Sequence, residues 1–180
     1  MARARSMRIN IWQQIKECIY KGVNKEGVLP GGLNVTRRAA DFNRKLLGED
    51  VIYKNINEWF AAVKNSPKDF NQITRWISCF ALAVNEENAS FGRIITAPTN
   101  GASGVIHAVL MYSQTFTEFN SEEDIIRFIL VAGEIGTLFK KNATISAAMG
   151  GCQAEIGVSS AMAAAALTEI SGGTPAQVMM

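Results

Sequence analysis

The sequence predicts an all-α fold. Apolar residues recur at intervals of three and four nearly throughout, the period of a helix with one buried face. No stretch shows the strand–turn–strand alternation of a sheet, and there is no internal repeat or low-complexity tract. Helix-start signatures at Ser121 and Thr174 complete the pattern.

Each element follows from local chemistry. Ile11, Trp12, Ile15, Cys18 and Ile19 form the first apolar stripe. It ends at Glu26-Gly-Val-Leu-Pro-Gly-Gly, where Pro30 lacks a donor and Gly31-Gly32 release the backbone. Thr36 is placed to cap a second helix carrying Ala39, Phe42, Leu46 and Leu47. A third begins near Asn55 or Asn57 and carries Ile56, Trp59, Phe60 and Val63. Ser66-Pro67 is the predicted start of a longer helix with Phe70, Ile73, Ile77, Phe80 and Val84 as its stripe. Ile94-Ile95-Thr96 reads as extended, and Pro98 biases Ala97 away from helix. Helix resumes near Gly104 with Val105, Val109, Tyr112 and Phe116. Ser121 and Asp124 resemble a capping box that opens a helix with Ile125, Ile129, Ala132 and Leu138. Residues 140–153 read as a polar, glycine-rich interruption, and residues 154–170 as a small-residue helix stopped by Gly172-Gly173. Thr174-Pro175 starts one more helix. The chain ends within its first turn, which predicts that these residues are part of a longer protein.

Composition narrows the function classes. A length of 180 residues predicts one domain, over residues 8–180, with residues 1–7 as an appended or linking stretch. That stretch has charge but no apolar run behind it, unlike a secretory signal. Hydrophobic residues at 48% and charged residues at 19% exclude a mainly disordered chain. A net charge of +2 without a basic stripe argues against nucleic acid as a partner. No apolar run approaches the roughly 18 residues of a membrane span. Cys18, Cys79 and Cys152 are few and far apart, which argues against a disulfide scaffold and for a reducing cytoplasm.

Two interruptions can carry chemistry. The first, residues 93–104, gathers hydroxyls, an amide and glycines ahead of a helix, where free N–H groups can receive a carboxylate or phosphate. The same residues can equally serve as backbone caps. The Gly-Lys-[Ser/Thr] ending of a phosphate-binding P-loop is absent. The second, residues 140–155, places Cys152 after two glycines at a helix start, where the helix N-terminus favours a thiolate. Cys152 is then a nucleophile, a metal or cluster ligand, or a buried free thiol. The lone His107 reads as a structural histidine, and Cys18 and Cys79 as core. Arg37-Arg38 with Arg44-Lys45 reads as a solvated basic face.

Several motifs then converge in order. Residues 94–104, Ala132-Gly-Glu-Ile-Gly136, Lys141-Asn-Ala-Thr-Ile-Ser146, Gly151-Cys152-Gln153 and Gly172-Gly-Thr-Pro175 resemble the α (catalytic) portion of iron–sulfur-dependent bacterial L-serine dehydratases. Glu26-Gly-Val-Leu-Pro-Gly-Gly-Leu33 and Arg37-Arg38-Ala39 fit the same family, so the likeness runs over about residues 8–180. The resemblance implies conversion of L-serine to pyruvate and ammonia. It implies a [4Fe-4S] cluster, with three cysteines holding three irons and the fourth iron open as a Lewis acid. Cys152 matches the first cluster ligand, and the family's Cys-Asp-Pro…Cys segment with the other two lies outside this sequence. These residues alone are therefore expected to hold no intact cluster and to be inactive. Thr96, Thr99, Asn100 and Gly101 match a motif on the substrate or cluster side, joined by Asn142 and Ser146. Lys141 is the candidate to neutralise the substrate carboxylate or, if desolvated, to act as base. The expected partners are L-serine, a β portion fused or separate, and further copies in a homo-oligomer. His107 stands where the family usually has proline, which argues against a catalytic role for it. The alternatives are a cluster-dependent lyase for L-threonine or L-cysteine and a non-catalytic helical binding module.

Overall fold

A computed structural model describes residues 2–180. The described residues form eight helices: α1 (Ala2–Gly22), α2 (Ala39–Leu47), α3 (Ile56–Lys64), α4 (Phe70–Ala89), α5 (Ser103–Phe116), α6 (Glu122–Asn142), α7 (Ala147–Ile170) and α8 (Pro175–Val178). No strand interrupts them, and one isolated antiparallel bridge joins Val28 to Thr36. The all-α expectation stands. Residues 2–7, set apart on composition, continue α1, and Arg5 pairs with Glu122 and Glu123 at 2.7 and 3.0 Å.

The apolar stripes converge as their spacing requires. α4 packs on α1, α2 and α5; α5 packs on α7; α7 packs on α6. Trp59, Trp76, Phe80, Phe128, Ile15, Ile19, Leu110 and Met111 are fully buried. Each such side chain contributes about 1.5–3 kcal/mol relative to exposure. Trp76 stacks on Phe80 at 5.4 Å between ring centroids, and Trp59 meets the same ring edge-on at 6.4 Å. Both indole N–H groups are satisfied, by Asn43 and by Ser66, at 2.9 Å. The α1–α4 contact depends on a missing side chain. A Cβ at Gly22 would lie 2.5 Å from the Ala83 carbonyl oxygen, so the two backbones touch.

Several helix starts differ from expectation for tertiary reasons. Thr36 belongs to the bridge with Val28 and does not cap α2. Arg38 occupies the N-cap position without a side-chain cap. Glu86 of α4 supplies the cap from outside, accepting from the Arg38 and Ala39 N–H groups at 2.7 and 3.3 Å. Arg37 is not part of a solvated face. It is buried, and its Nη2 donates to Glu87 Oε1 at 2.8 Å, Ser90 Oγ at 2.5 Å and the Glu86 carbonyl at 3.2 Å. Burying such a charge is tolerable only with a partner, and Glu87 is that partner. α4 starts at Phe70 under an Asp69 cap, because Ser66 is held back by Val63 and Trp76. The Ser121–Asp124 and Thr174–Gln177 capping boxes form.

Candidate functional site

The first interruption folds into a turn laid against α7. It enters through residues 92–96, which belong to no helix or strand, and a cis Ala97–Pro98 peptide, and leaves as the first turn of α5. Thr96 Oγ1 donates to Asn100 Oδ1 at 2.5 Å. Ser103 Oγ donates to the Asn100 carbonyl at 2.8 Å. Thr99 donates to Glu155 of α7, and the Ala102 N–H reaches Thr99 Oγ1 at 3.4 Å. Gly101 faces the same carboxylate, and a Cβ there would lie 2.8 Å from Glu155 Oε1. One turn further along α7, the buried Ser159 hydroxyl lies 2.9 Å from the Ala102 carbonyl and 3.3 Å from that of Ala97. Hydroxyls here do cap the backbone, but Thr99 looks across to another helix.

The second interruption is shorter than its composition suggests. α6 runs on to Asn142, and only residues 143–146 lie between it and α7. α7 then breaks at Gly151, whose φ of 76° and ψ of 173° are open essentially to glycine alone. The break makes Cys152 the first residue of the long segment 152–170. Cys152 is exposed, whereas Cys18 and Cys79 are buried. Burial pushes both buried thiols up to about 12, which removes them as thiolate ligands at neutral pH. Cys152, Glu155 and Ser159 follow at steps of three and four, which puts them on one face.

The remaining candidates separate. Lys141 is exposed. Its neighbour Lys140 instead lines a cavity of about 290 Å3 between α1, α6, α7 and the loop. Ile11, Ile15, Ile129 and Met162 wall that cavity, and Thr96, Thr137 and Lys140 supply its polar groups. Asn142 turns to the other side, where it donates to the Leu138 carbonyl at 3.0 Å and borders a separate groove of about 580 Å3. Ser146 is the N-cap residue of α7, yet its hydroxyl makes no capping bond. Thr96, Asn100, Thr99 and Gly101 are thus brought together, and Lys141 and Asn142 are not among them.

Glu155, Ser159 and Lys140 are the residues the motif reading missed. Their signal was helical spacing: Glu155 and Ser159 from Cys152, and Lys140 from Gly136 and Thr137.

His107 lies one turn into α5, beneath the loop. Its Nδ1–H donates to the Ser103 carbonyl at 2.7 Å, and its buried Nε2 has no partner. Burial lowers its pKa to about 4, against the raising effect of that hydrogen bond, so the ring is neutral at pH 7.

Comparison with known proteins places the sequence in a family. The family described as "Serine dehydratase alpha chain" matches residues 2–180. The chain is 51% identical over 168 residues to the L-serine dehydratase TdcG of Escherichia coli strain K12, covering 93% of this chain and 34% of that protein. It is 46% identical over 170 residues to the L-serine dehydratase of Streptomyces coelicolor, covering 94% and 34%. It is 40% identical over 174 residues to that of Helicobacter pylori, covering 96% and 35%. The chain therefore spans about a third of the length of the relatives it matches. Matched along nearly its whole length, the chain belongs to the serine dehydratase alpha chain family.

Proposed function

We propose that this chain is the catalytic portion of an L-serine dehydratase, which turns L-serine into pyruvate and ammonia. The observation that carries the reading is the docking of the Thr96–Gly101 turn on the same face of α7 that begins with Cys152. The turn is the proposed substrate loop, with Thr96, Thr99, Asn100 and Gly101 contributing polar groups and close backbone access.

Among the described residues, no three histidine, cysteine or acidic side chains converge on a metal position. Cys152 fits one ligand of a [4Fe-4S] cluster: it is exposed, outside the core and preceded by a glycine break. The other ligands would come from outside residues 1–180. When bound, such a cluster supplies an open iron as Lewis acid for departure of the β-hydroxyl. The chain's own part is to hold the turn against α7 and to set Lys140 on the rim of the cavity that Thr96 also lines. Lys140 is the better-placed cation for a substrate carboxylate, and Lys141 has the weaker position. A β portion, fused or separate, and assembly into a homo-oligomer complete the proposal. A reducing cytoplasm suits a cluster-ligating thiolate.

The test is anaerobic loading of the full-length parent protein with iron and sulfide, followed by iron analysis and pyruvate assay with L-serine. Uptake of iron with pyruvate formation, both abolished by Cys152→Ser, is the expected result. A parent that makes pyruvate equally well with serine at position 152 overturns the role of Cys152, and one that makes none overturns the activity.

A further inference from the structure

We infer that Glu155 is a positioning residue, which locks the turn of residues 97–102 to α7 and so fixes its offset from Cys152. The inference rests on the proposed dehydratase reading for its consequence in catalysis, but the lock itself stands on geometry.

Four observations meet at this carboxylate. It accepts from the Thr99 hydroxyl across 56 positions of sequence. It fills the space where any side chain at Gly101 would stand, 2.8 Å from an ideal Cβ. It makes no ion pair among the described residues, so no surface cation claims it. The next residue on the same helix face, Ser159, donates its one hydroxyl proton to the Ala102 carbonyl at 2.9 Å, with the Ala97 carbonyl at 3.3 Å as the second acceptor in reach. Glu155 and Ser159 therefore grip the turn at its tip and at its base. A helix is stiff along its axis, rising about 1.5 Å per residue. Fixing the turn at Glu155 thus fixes it relative to Cys152, one turn back.

A lock needs an acceptor oxygen and the right length, and it does not need a charge. Glu155→Gln keeps both, whereas Glu155→Ala loses both. The full-length enzyme is assayed with L-serine, and amide hydrogen exchange is measured for residues 97–102 in the same proteins. With Glu155→Ala, the KM for L-serine rises at least about tenfold, kcat changes less than about threefold, and iron content is unchanged. Thr99→Val reproduces that effect, and the double variant is no worse than either single one. Glu155→Gln restores wild-type KM. Exchange at residues 97–102 accelerates in Glu155→Ala and stays at the wild-type rate in Glu155→Gln. An unchanged exchange rate in Glu155→Ala overturns the lock. Equal damage from Gln and Ala overturns a positioning role in favour of a charge role. A wild-type parent without activity on L-serine defeats the dehydratase reading alone, because the exchange measurement still decides the lock.

Discussion

The two interruptions that carry the family's motifs are built in opposite ways. Residues 93–102 leave Thr96, Asn100 and Gly101 exposed but are tied down from beneath: by the Thr96–Asn100 and Ser103–Asn100 bonds, by Glu155 and Ser159, and by the buried first turn of α5. The connection into α7 is held lightly. Lys141, Asn142, Met149, Gly151 and Cys152 are all exposed, and the local bonds are short-range, such as Ser146 N–H to Thr144 Oγ1 at 3.0 Å. One region comes organised by this chain, and the other presents its side chains outward. The difference separates residues that act by shaping the turn from residues available to something outside residues 1–180.

Three measurements sharpen or break that contrast, in falling order of expected effect. The largest concerns His107, under the organised turn. Its folded pKa of about 4 lies below the ordinary value of 6.5. Above pH 6.5 both folded and unfolded chains hold it neutral, and it adds no pH dependence. As pH falls from 6.5 to 4, only the unfolded chain takes up the proton, so stability falls by as much as about 3 kcal/mol and then levels off. His107→Leu removes this component. Urea midpoints of wild type and variant, compared at pH 7.5 and pH 4.5, should converge on the acid side if the wild type is the more stable at pH 7.5, or otherwise separate in the variant's favour. Midpoints that shift equally with pH in the two proteins would show that the buried ring does not titrate as described.

The second concerns Ser159. Its hydroxyl is fully buried and has one proton to offer the Ala102 and Ala97 carbonyls of the turn, at 2.9 and 3.3 Å. Ser159→Ala leaves them without that donor and should cost about 1–3 kcal/mol in chemical denaturation. A cost near zero would mean that the turn is not anchored through α7. The smallest effect belongs to the loosely held side. Lys141→Ala should change stability by no more than about 0.5 kcal/mol, as expected for an exposed side chain with no ion pair among the described residues. A larger loss would make residues 140–152 as organised as the first turn and erase the contrast.

Much of this was legible in the residues themselves. The stripe from Ile11 to Ile19 became a buried helix face, and so did that of α4 from Ile73 to Val84, but Phe70, read as its first member, is left 80% exposed because it opens the first turn beyond the packed part of the helix. The Ser121–Asp124 and Thr174–Gln177 boxes formed because every atom of a capping box lies within one turn. The start of the first site turn was readable from Pro98 and Gly101. Other features were not. Arg37 looks like a surface charge beside Arg38, yet Glu87 and Ser90 stand about fifty positions away and make its burial possible. Lys140 and Lys141 are indistinguishable as a pair in the sequence. Both are exposed, but a rotation of about 100° between successive helical residues puts Lys140 alone on the rim of the cavity that Thr96 also lines.

The sequence by itself determined that the chain is helical, which residues make the main apolar stripes, where the two capping boxes stand and which family the motifs resemble. These depend on interactions within one or two turns, and the residues concerned are neighbours along the chain. Only the tertiary structure decided that Glu155 receives Thr99, that Glu86 caps α2 from a distance and that Cys152 stays exposed. Those outcomes depend on the register of one helix against another, set by close contacts such as Gly22 on Ala83 and Gly136 on Met162. A single sequence carries no local signal of that register, because it is the joint packing of the whole helical set that selects it.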